Sequence, residues 1–214
     1  PMNLSIVLEH LYIVLTSVLL TIIIGLPLGI LAYMKNSVRS VILWTADVLQ
    51  TIPALALLGI LMAFLGAGKP TVIIGLILYS LLPVVRNTYL GLKNIDPAIK
   101  EVATGMGMSR WYRLIHVEMP IAFPVIFTGI RIATVTAVGV AVFGTFVGGG
   151  GLGSVIYQGI RIENMRMILF GTLSLMIMAV LFDSVMAAVE KRLNRQESKT
   201  SSTSNKSNGV EPGT

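Results

Sequence analysis

Two uncharged stretches limit what this chain can become. From Leu11 to Met34, and again from Val48 to Gly68, the sequence holds no Asp, Glu, Lys, Arg or His. Each stretch meets the roughly 20 residues a helix needs to cross the hydrocarbon of a bilayer. Lipid offers no water to backbone polar groups, so a stretch of this kind must close its hydrogen bonds internally, as a helix does. Burying both inside a soluble core would demand a chain with far more charge on its surface. Only 12% of the residues are charged, against roughly a quarter in soluble domains. The net charge of +6 therefore bears on membrane topology and not on nucleic acid.

The hydropathy pattern predicts an all-α membrane protein with five transmembrane helices, near 11–33, 43–65, 72–90, 121–147 and 167–189. An odd number puts the ends on opposite sides. Lys35 and Arg39 follow the first span; Arg86, Lys93, Lys100, Arg110 and Arg113 lie at or after the end of the third; Lys191, Arg192, Arg195, Lys199 and Lys206 follow the fifth. The other loops hold only Lys69, Arg161 and Arg166. Basic loops stay in the cytoplasm, so the N-terminus is expected outside and the C-terminus inside. The expected organisation is a short external segment 1–10, a transmembrane domain 11–190 with a cytoplasmic loop at 91–120, and a disordered basic tail 191–214 rich in Ser, Thr and Asn. The N-terminal end shows no cleavable signal pattern.

Pro27, Pro53, Pro83 and Pro124 fall inside the expected spans, where each removes a backbone donor and tends to kink a helix. Gly25, Gly29 and Ala32 allow close helix contact. Kinked, small-faced helices suit a bundle around a pathway, and five can hardly enclose one alone, so a second membrane subunit is expected. Four ionisable residues are set in the spans: Asp47 opens the second, Arg86 lies near the inner end of the third, and Arg131 and Asp183 lie inside the fourth and fifth. Such residues face partners or water. Arg131 is expected to pair with Asp183 or Asp47, either as a structural ion pair or on the pathway.

Several motifs lead nowhere. Gly148, Gly150 and Gly153 satisfy G-x-G-x-x-G, but an apolar span precedes them and the loop falls outside the cell, so a flexible external loop is expected and not a dinucleotide site. No G-x-x-x-x-G-K-[ST] occurs, so the chain itself is not expected to hydrolyse ATP. His10 and His116 stand alone, without metal-ligand spacing, and are read as interfacial. The chain has no cysteine. No catalytic residue, cofactor or metal is expected.

The polar interruption EVATGMGMSRWYRLIHVEMP, residues 101–120, is the informative segment. Asp96-Pro97 is a helix start, with Asp as N-cap and Pro in the first turn. Ile99, Val102, Ala103 and Met106 recur at helical spacing and form a narrow apolar stripe. Gly105 or Gly107 can end that helix in a left-handed turn, and Ser109 can cap a second helix running into Pro120. On its own this pattern also suits a helix resting on lipid headgroups, with Trp111 and Tyr112 as anchors.

The segment resembles the signature of binding-protein-dependent ABC importer permeases: E-A-A, three residues, G, nine residues, I-x-L-P. Glu101, Ala103, Gly107 and Pro120 match; Val102, Val117 and Met119 stand for Ala, Ile and Leu. The segments TIPALALLG at 51–59, LLPVVRNTYLGL at 81–92, GIRIATV at 129–135 and VGGGGLG at 147–153 resemble the branch that takes up glycine betaine, carnitine and choline. The resemblance implies a type I, methionine-importer-like permease fold in the bacterial plasma membrane. It implies that the loop docks on a cytoplasmic ATP-binding subunit through Glu101, Val102, Ala103, Gly107, Met108, Ser109, Arg110 and Pro120. It also implies an extracellular substrate-binding protein and a second permease subunit, identical or related. Other readings stay open: a permease for methionine or another small solute, a secondary transporter or channel without an ATPase, or a membrane scaffold.

Overall fold

The computed structural model describes residues 4–207, with side chains described through Arg192. The described residues are almost wholly helical. The elements are α1 (Leu4–Met34), α2 (Asn36–Thr51), α3 (Ala54–Leu65), α4 (Lys69–Lys93), α5 (Pro97–Gly105), α6 (Arg110–Arg113), α7 (Met119–Val140), α8 (Leu152–Arg161) and α9 (Met165–Ser207). A π-helical turn, Leu114–Glu118, joins α6 to α7, and a 3-10 turn, Ala141–Val147, extends α7 at its far end. Residues 110–147 thus form one continuous helical run.

Close contacts between helices fix their directions. Gly25 meets Val84 and Gly29 meets Thr88, so α1 and α4 run parallel. Gly91 packs on Ala122 and Gly129 on Pro83, so α7 runs back antiparallel to α4. Arg131 reaches Asp183 and Thr128 reaches Glu190, so α9 is antiparallel to α7. At one end of the bundle Glu9, Lys69 and Gly151 meet. At the other end Met34, Leu92, Lys100 and Arg110 meet. The α2–α3 pair must then carry the chain from the second end back to the first. Five crossings result, and the starts of α1 and residue 190 of α9 lie at opposite ends.

The span expected at 43–65 with Pro53 inside it is broken there: α2 and α3 meet at a bend of 101°. Ile52, before Pro53, is extended (φ −69°, ψ 128°), as the proline ring requires of its neighbour. Thr51 Oγ1 donates to Val48 O at 2.7 Å, which satisfies one of the carbonyls freed at the break. Pro27, Pro83 and Pro124 instead lie within continuous helices. Residues 4–10 form the first turns of α1, since nothing in LSIVLEH breaks a helix. His10 is not interfacial: it is fully buried, with Nε2 at 3.1 Å from Val138 O. At the other terminus the helix runs on through Ser207; residues 208–214 lie outside the described residues.

Two apolar clusters hold the bundle. Ile13, Val14, Leu58, Val72, Leu76 and Val138 pack toward the Glu9 end. Leu92, Ile95, Leu114, Ala122 and Ile126 pack under the polar loop. The α1–α4 contact depends on missing side chains: a Cβ on Gly29 would stand 2.5 Å from Thr88 Cβ and 2.9 Å from Val85 O. The second obstacle is backbone and cannot rotate away. Gly29→Val should therefore cost about 1–3 kcal/mol or more through overpacking, seen as a lower Tm in detergent; an unchanged Tm would mean that α1 and α4 are not in this contact.

Candidate functional site

The polar loop is built from two caps and one turn. Asp96 Oδ1 accepts from Ala98 N at 2.8 Å and starts α5. Ser109 Oγ accepts from Tyr112 N at 3.4 Å and starts α6. Between them Gly107 has φ +80°, a left-handed conformation that side-chain-bearing residues rarely adopt. Met108 N donates back to Ala103 O at 3.2 Å and Gly107 N to Thr104 O at 2.9 Å, closing the end of α5. Gly105 stays helical, so Gly107 alone makes the bend.

The apolar stripe of α5 divides by depth. Ala103 is buried, while Val102 and Met106 are 62% and 65% exposed and Ile99 is 39% exposed. These residues, with Ala98 and Val117, line a hollow of about 310 Å³ at the tip of the molecule. A second hollow of about 400 Å³ is lined by Lys100, Glu101, Thr104, Gly105 and Arg113. Glu101 and Gly107 are exposed, Met108 is half-buried, and Pro120 lies exposed in the first turn of α7. The tip therefore presents an apolar patch beside a carboxylate and a glycine. Around Gly107 a Cβ would meet nothing within 4 Å.

Arg110 points elsewhere. Its Nη2 donates to Met34 O, the last residue of α1, at 2.6 Å. Lys100 Nζ likewise donates to Leu92 O near the end of α4 at 2.9 Å, and lies 5.1 Å from the Tyr33 ring centre. Arg113 Nε donates to buried Glu118 Oε1 at 2.6 Å and its Nη1 to Thr104. These pairings escape a reading of the sequence. The Arg113–Glu118 spacing of five residues is out of phase for an α-helix and becomes a neighbour relation only in the π-helical turn.

In the spans, Arg131 Nε and Nη2 donate to Asp183 Oδ1 and Oδ2 at 2.7 and 2.9 Å, a two-bond fork. Arg131 Nη1 also reaches Glu190 Oε2 at 2.9 Å, and Thr128 hydroxyl donates to Glu190. Glu190 was hidden in the sequence by its place at the end of the fifth span, though it stands seven residues from Asp183 on the same face. Asp47 does not join this cluster. It accepts from Arg86 Nη2 at 2.6 and 2.8 Å, tying α2 to α4. The fork borders a cleft of about 300 Å³ lined by Thr128, Arg131, Ile132, Val135, Thr136 and Asp183.

At the opposite end the glycine-rich segment is a packed turn. Gly151 N donates to Glu9 Oε2 at 3.0 Å, and Glu9 Oε1 accepts from Lys69 Nζ at 2.7 Å. A Cβ on Gly153 would stand 2.2 Å from Val142 O. Its glycines serve close packing against α1, α4 and the end of α7. Among the described residues no group of three His, Cys, Asp or Glu is placed to hold a metal ion.

Residues 13–195 match the family of binding-protein-dependent transport system inner membrane components. The chain belongs to this family. As an inner-membrane component it is a multi-pass membrane transport subunit. It is 44% identical over 183 residues to the carnitine transport permease protein OpuCD of Listeria monocytogenes, covering 85% of this chain and 82% of that one. It is 40% identical to the glycine betaine/carnitine/choline transport system permease protein OpuCB of Bacillus subtilis, over 86% of this chain and 85% of the relative. The osmoprotectant import permease protein OsmW of Salmonella typhimurium is 39% identical, over 84% and 86%. Among solved structures, the inward-facing MetNI methionine ABC transporter superposes with a TM-score of 0.81 at 24% identity, covering 87% of this chain and 94% of that chain. That likeness fixes the type I importer permease fold and carries no substrate with it.

The fork across α7 and α9 gives a direct test in this permease. Arg131→Asp or Asp183→Arg alone sets like charges face to face and should sharply lower the yield of folded protein in detergent. The double exchange, made together with Glu190→Gln so that no second carboxylate faces the new one, should restore most of it; absence of rescue would show that the two residues do not act as a pair.

Proposed function

We propose that this chain is the permease subunit of an ATP-driven importer for quaternary-ammonium osmoprotectants such as glycine betaine, carnitine and choline. The observation that carries the solute class is the agreement among relatives: three at 39, 40 and 44% identity, each matched over more than four-fifths of both chains, bear the names of carnitine, glycine betaine/carnitine/choline or osmoprotectant permeases. A methionine permease is the weaker reading, because the methionine transporter resembles the chain in fold at only 24% identity.

The loop end carries Lys35, Arg39, Lys93, Lys100, Arg110 and Arg113, against Lys69, Arg161 and Arg166 at the other. The positive-inside rule then puts the loop in the cytoplasm and the Glu9 end outside. There the loop tip meets a separate ATP-binding subunit. Ile99, Val102 and Met106 supply the apolar contact, Glu101 a charge beside it, and Gly107 a place where backbone can approach closely. The external end, with the Gly148–Gly153 turn, receives a solute-loaded binding protein. A second permease, a copy or a relative, completes the pathway, and the cleft beside Arg131 and Asp183 opens toward it. Trp111 and Tyr112, both more than half exposed, rest at the lipid headgroups. ATP binding draws the ATPase subunits together, the loops follow, and the spans turn from inward-facing to outward-facing. Solute enters from the binding protein, hydrolysis resets the pair, and the solute crosses chemically unchanged.

Gly107→Arg tests the docking face. Space around Gly107 admits the side chain within the permease, so the cost there is confined to the left-handed backbone, about 1–2 kcal/mol. Against a docked partner the same side chain collides. Recovery of the ATPase with the purified permease should fall about tenfold or more, equivalent to ~1.4 kcal/mol of binding, while the Tm of the permease shifts little. Undiminished recovery would remove Gly107 from the interface. For the solute, a strain deleted for osmoprotectant uptake and carrying the complete importer should accumulate radiolabelled carnitine, glycine betaine or choline and not methionine. The opposite preference would overturn the osmoprotectant reading.

A further inference from the structure

The docking loop is joined by the chain to two spans, α4 before it and α7 after it. It has no such link to α1, whose last residue lies 76 positions before Arg110. Yet α1 packs along the whole of α4 and ends beneath the loop. The connection is made by side chains. Arg110 donates to Met34 O at 2.6 Å, and Lys100 lies over the Tyr33 ring at 5.1 Å while donating to Leu92 O of α4 at 2.9 Å. Met34 O is one of the last carbonyls of α1 and lacks an intrahelical partner by position, so it is a ready acceptor for a cation. Arg39 from α2 takes the neighbouring Ala32 O. The far end of the same helix is held as firmly. Glu9 of α1 accepts from Gly151 N in the glycine turn and from Lys69 at the start of α4. A helix of 31 residues spans about 46 Å at 1.5 Å per residue, so α1 reaches from the docking loop to the outer turn.

We propose that α1 is a transmission rod in this importer, with Arg110 and Lys100 as the positioning residues that tie its inner end to the docking loop and Glu9 as the residue that ties its outer end to the glycine turn. The proposal rests on the importer reading above. Displacement of the loop by the ATPase moves α1 through charge-assisted hydrogen bonds to backbone, which are short and directional. The outer turn then moves with α1. This assigns Arg110 a role inside the permease and not at the ATPase contact.

The test uses the complete importer, with ATPase and binding protein, in proteoliposomes. The readout is carnitine moved per ATP hydrolysed, a ratio that a smaller amount of assembled complex does not change. Arg110→Ala and Lys100→Met should each lower the ratio at least about fivefold, the scale of an ordinary coupling energy; Arg110→Lys and Lys100→Arg should recover most of it. Glu9→Gln should lower it too, and Arg110→Ala with Glu9→Gln should be no worse than the poorer single change, because both cut one route. An unchanged ratio in Arg110→Ala and Lys100→Met, or fully multiplicative effects in the double variant, overturns the proposal. A second measurement stands apart from uptake. The chain has no cysteine, so spin labels on Leu31→Cys and Trp111→Cys report the separation of α1 and the loop. It should stay constant with and without ATP in the otherwise native chain and change between those states in Arg110→Ala. A separation that changes in the native chain overturns the rod. If uptake of carnitine, glycine betaine and choline is absent while the label separation behaves as stated, the solute reading fails and the rod stands. If no ATPase assembles with the permease, both fail.

Discussion

The structure depends on how helix ends and buried charges are satisfied where water is scarce. Every span leaves unpaired carbonyls at its C-terminal end. In this bundle the ends of α1 and α4 are closed by Arg39, Arg110 and Lys100, two of which come from the polar loop. The loop is therefore both the exposed tip of the molecule and the cap of its two central helices. Arg113 and buried Glu118 continue the arrangement into the base of α7. A segment that could have been a loose connector is fastened to the spans on three sides.

The same requirement organises the spans themselves. Arg86 and Asp47 join α4 to α2, and Arg131 joins α7 to Asp183 and Glu190 of α9. These links act beside close contacts through Gly25, Gly29, Gly91 and Gly129, which let backbones approach where apolar side chains gain little from leaving lipid. Helix α9 is the least covered of the spans, with Leu173, Ile177, Val180 and Leu181 about half exposed or more. Its charged face meets α7, and the cleft beside Arg131 lies on the side left open.

Much of this was legible in the sequence, and the gaps have physical causes. Asp96 and Ser109 act through neighbours two or three residues away, so local pattern finds them. Long uncharged runs give the spans because length and hydropathy alone decide membrane crossing. Which acid Arg131 takes depends on packing, since Asp47 is held by Arg86 across α2 and α4. A kink was legible at each of Pro27, Pro53, Pro83 and Pro124, but not that the helix breaks at Pro53 and continues through the other three. Around Pro27 the helix packs closely on α4 through Gly25 and Gly29, whereas Pro53 is exposed. The partners of Lys100, Arg110 and Glu190 were not legible for one reason: a long side chain can turn to a partner distant in sequence, and only the packing says which. His10 looked interfacial by position, but its ring is enclosed by Val138 and Gly151.

The central claim is that the machine's energy source lies in another subunit and reaches these spans through the loop. Proteoliposomes holding the permease, its ATPase and ATP in the lumen, with loaded binding protein outside, measure this most directly. The account predicts accumulation of carnitine that requires the ATPase and ATP and is indifferent to imposed proton or sodium gradients. Accumulation driven by such a gradient in vesicles that contain the permease without the ATPase would contradict it.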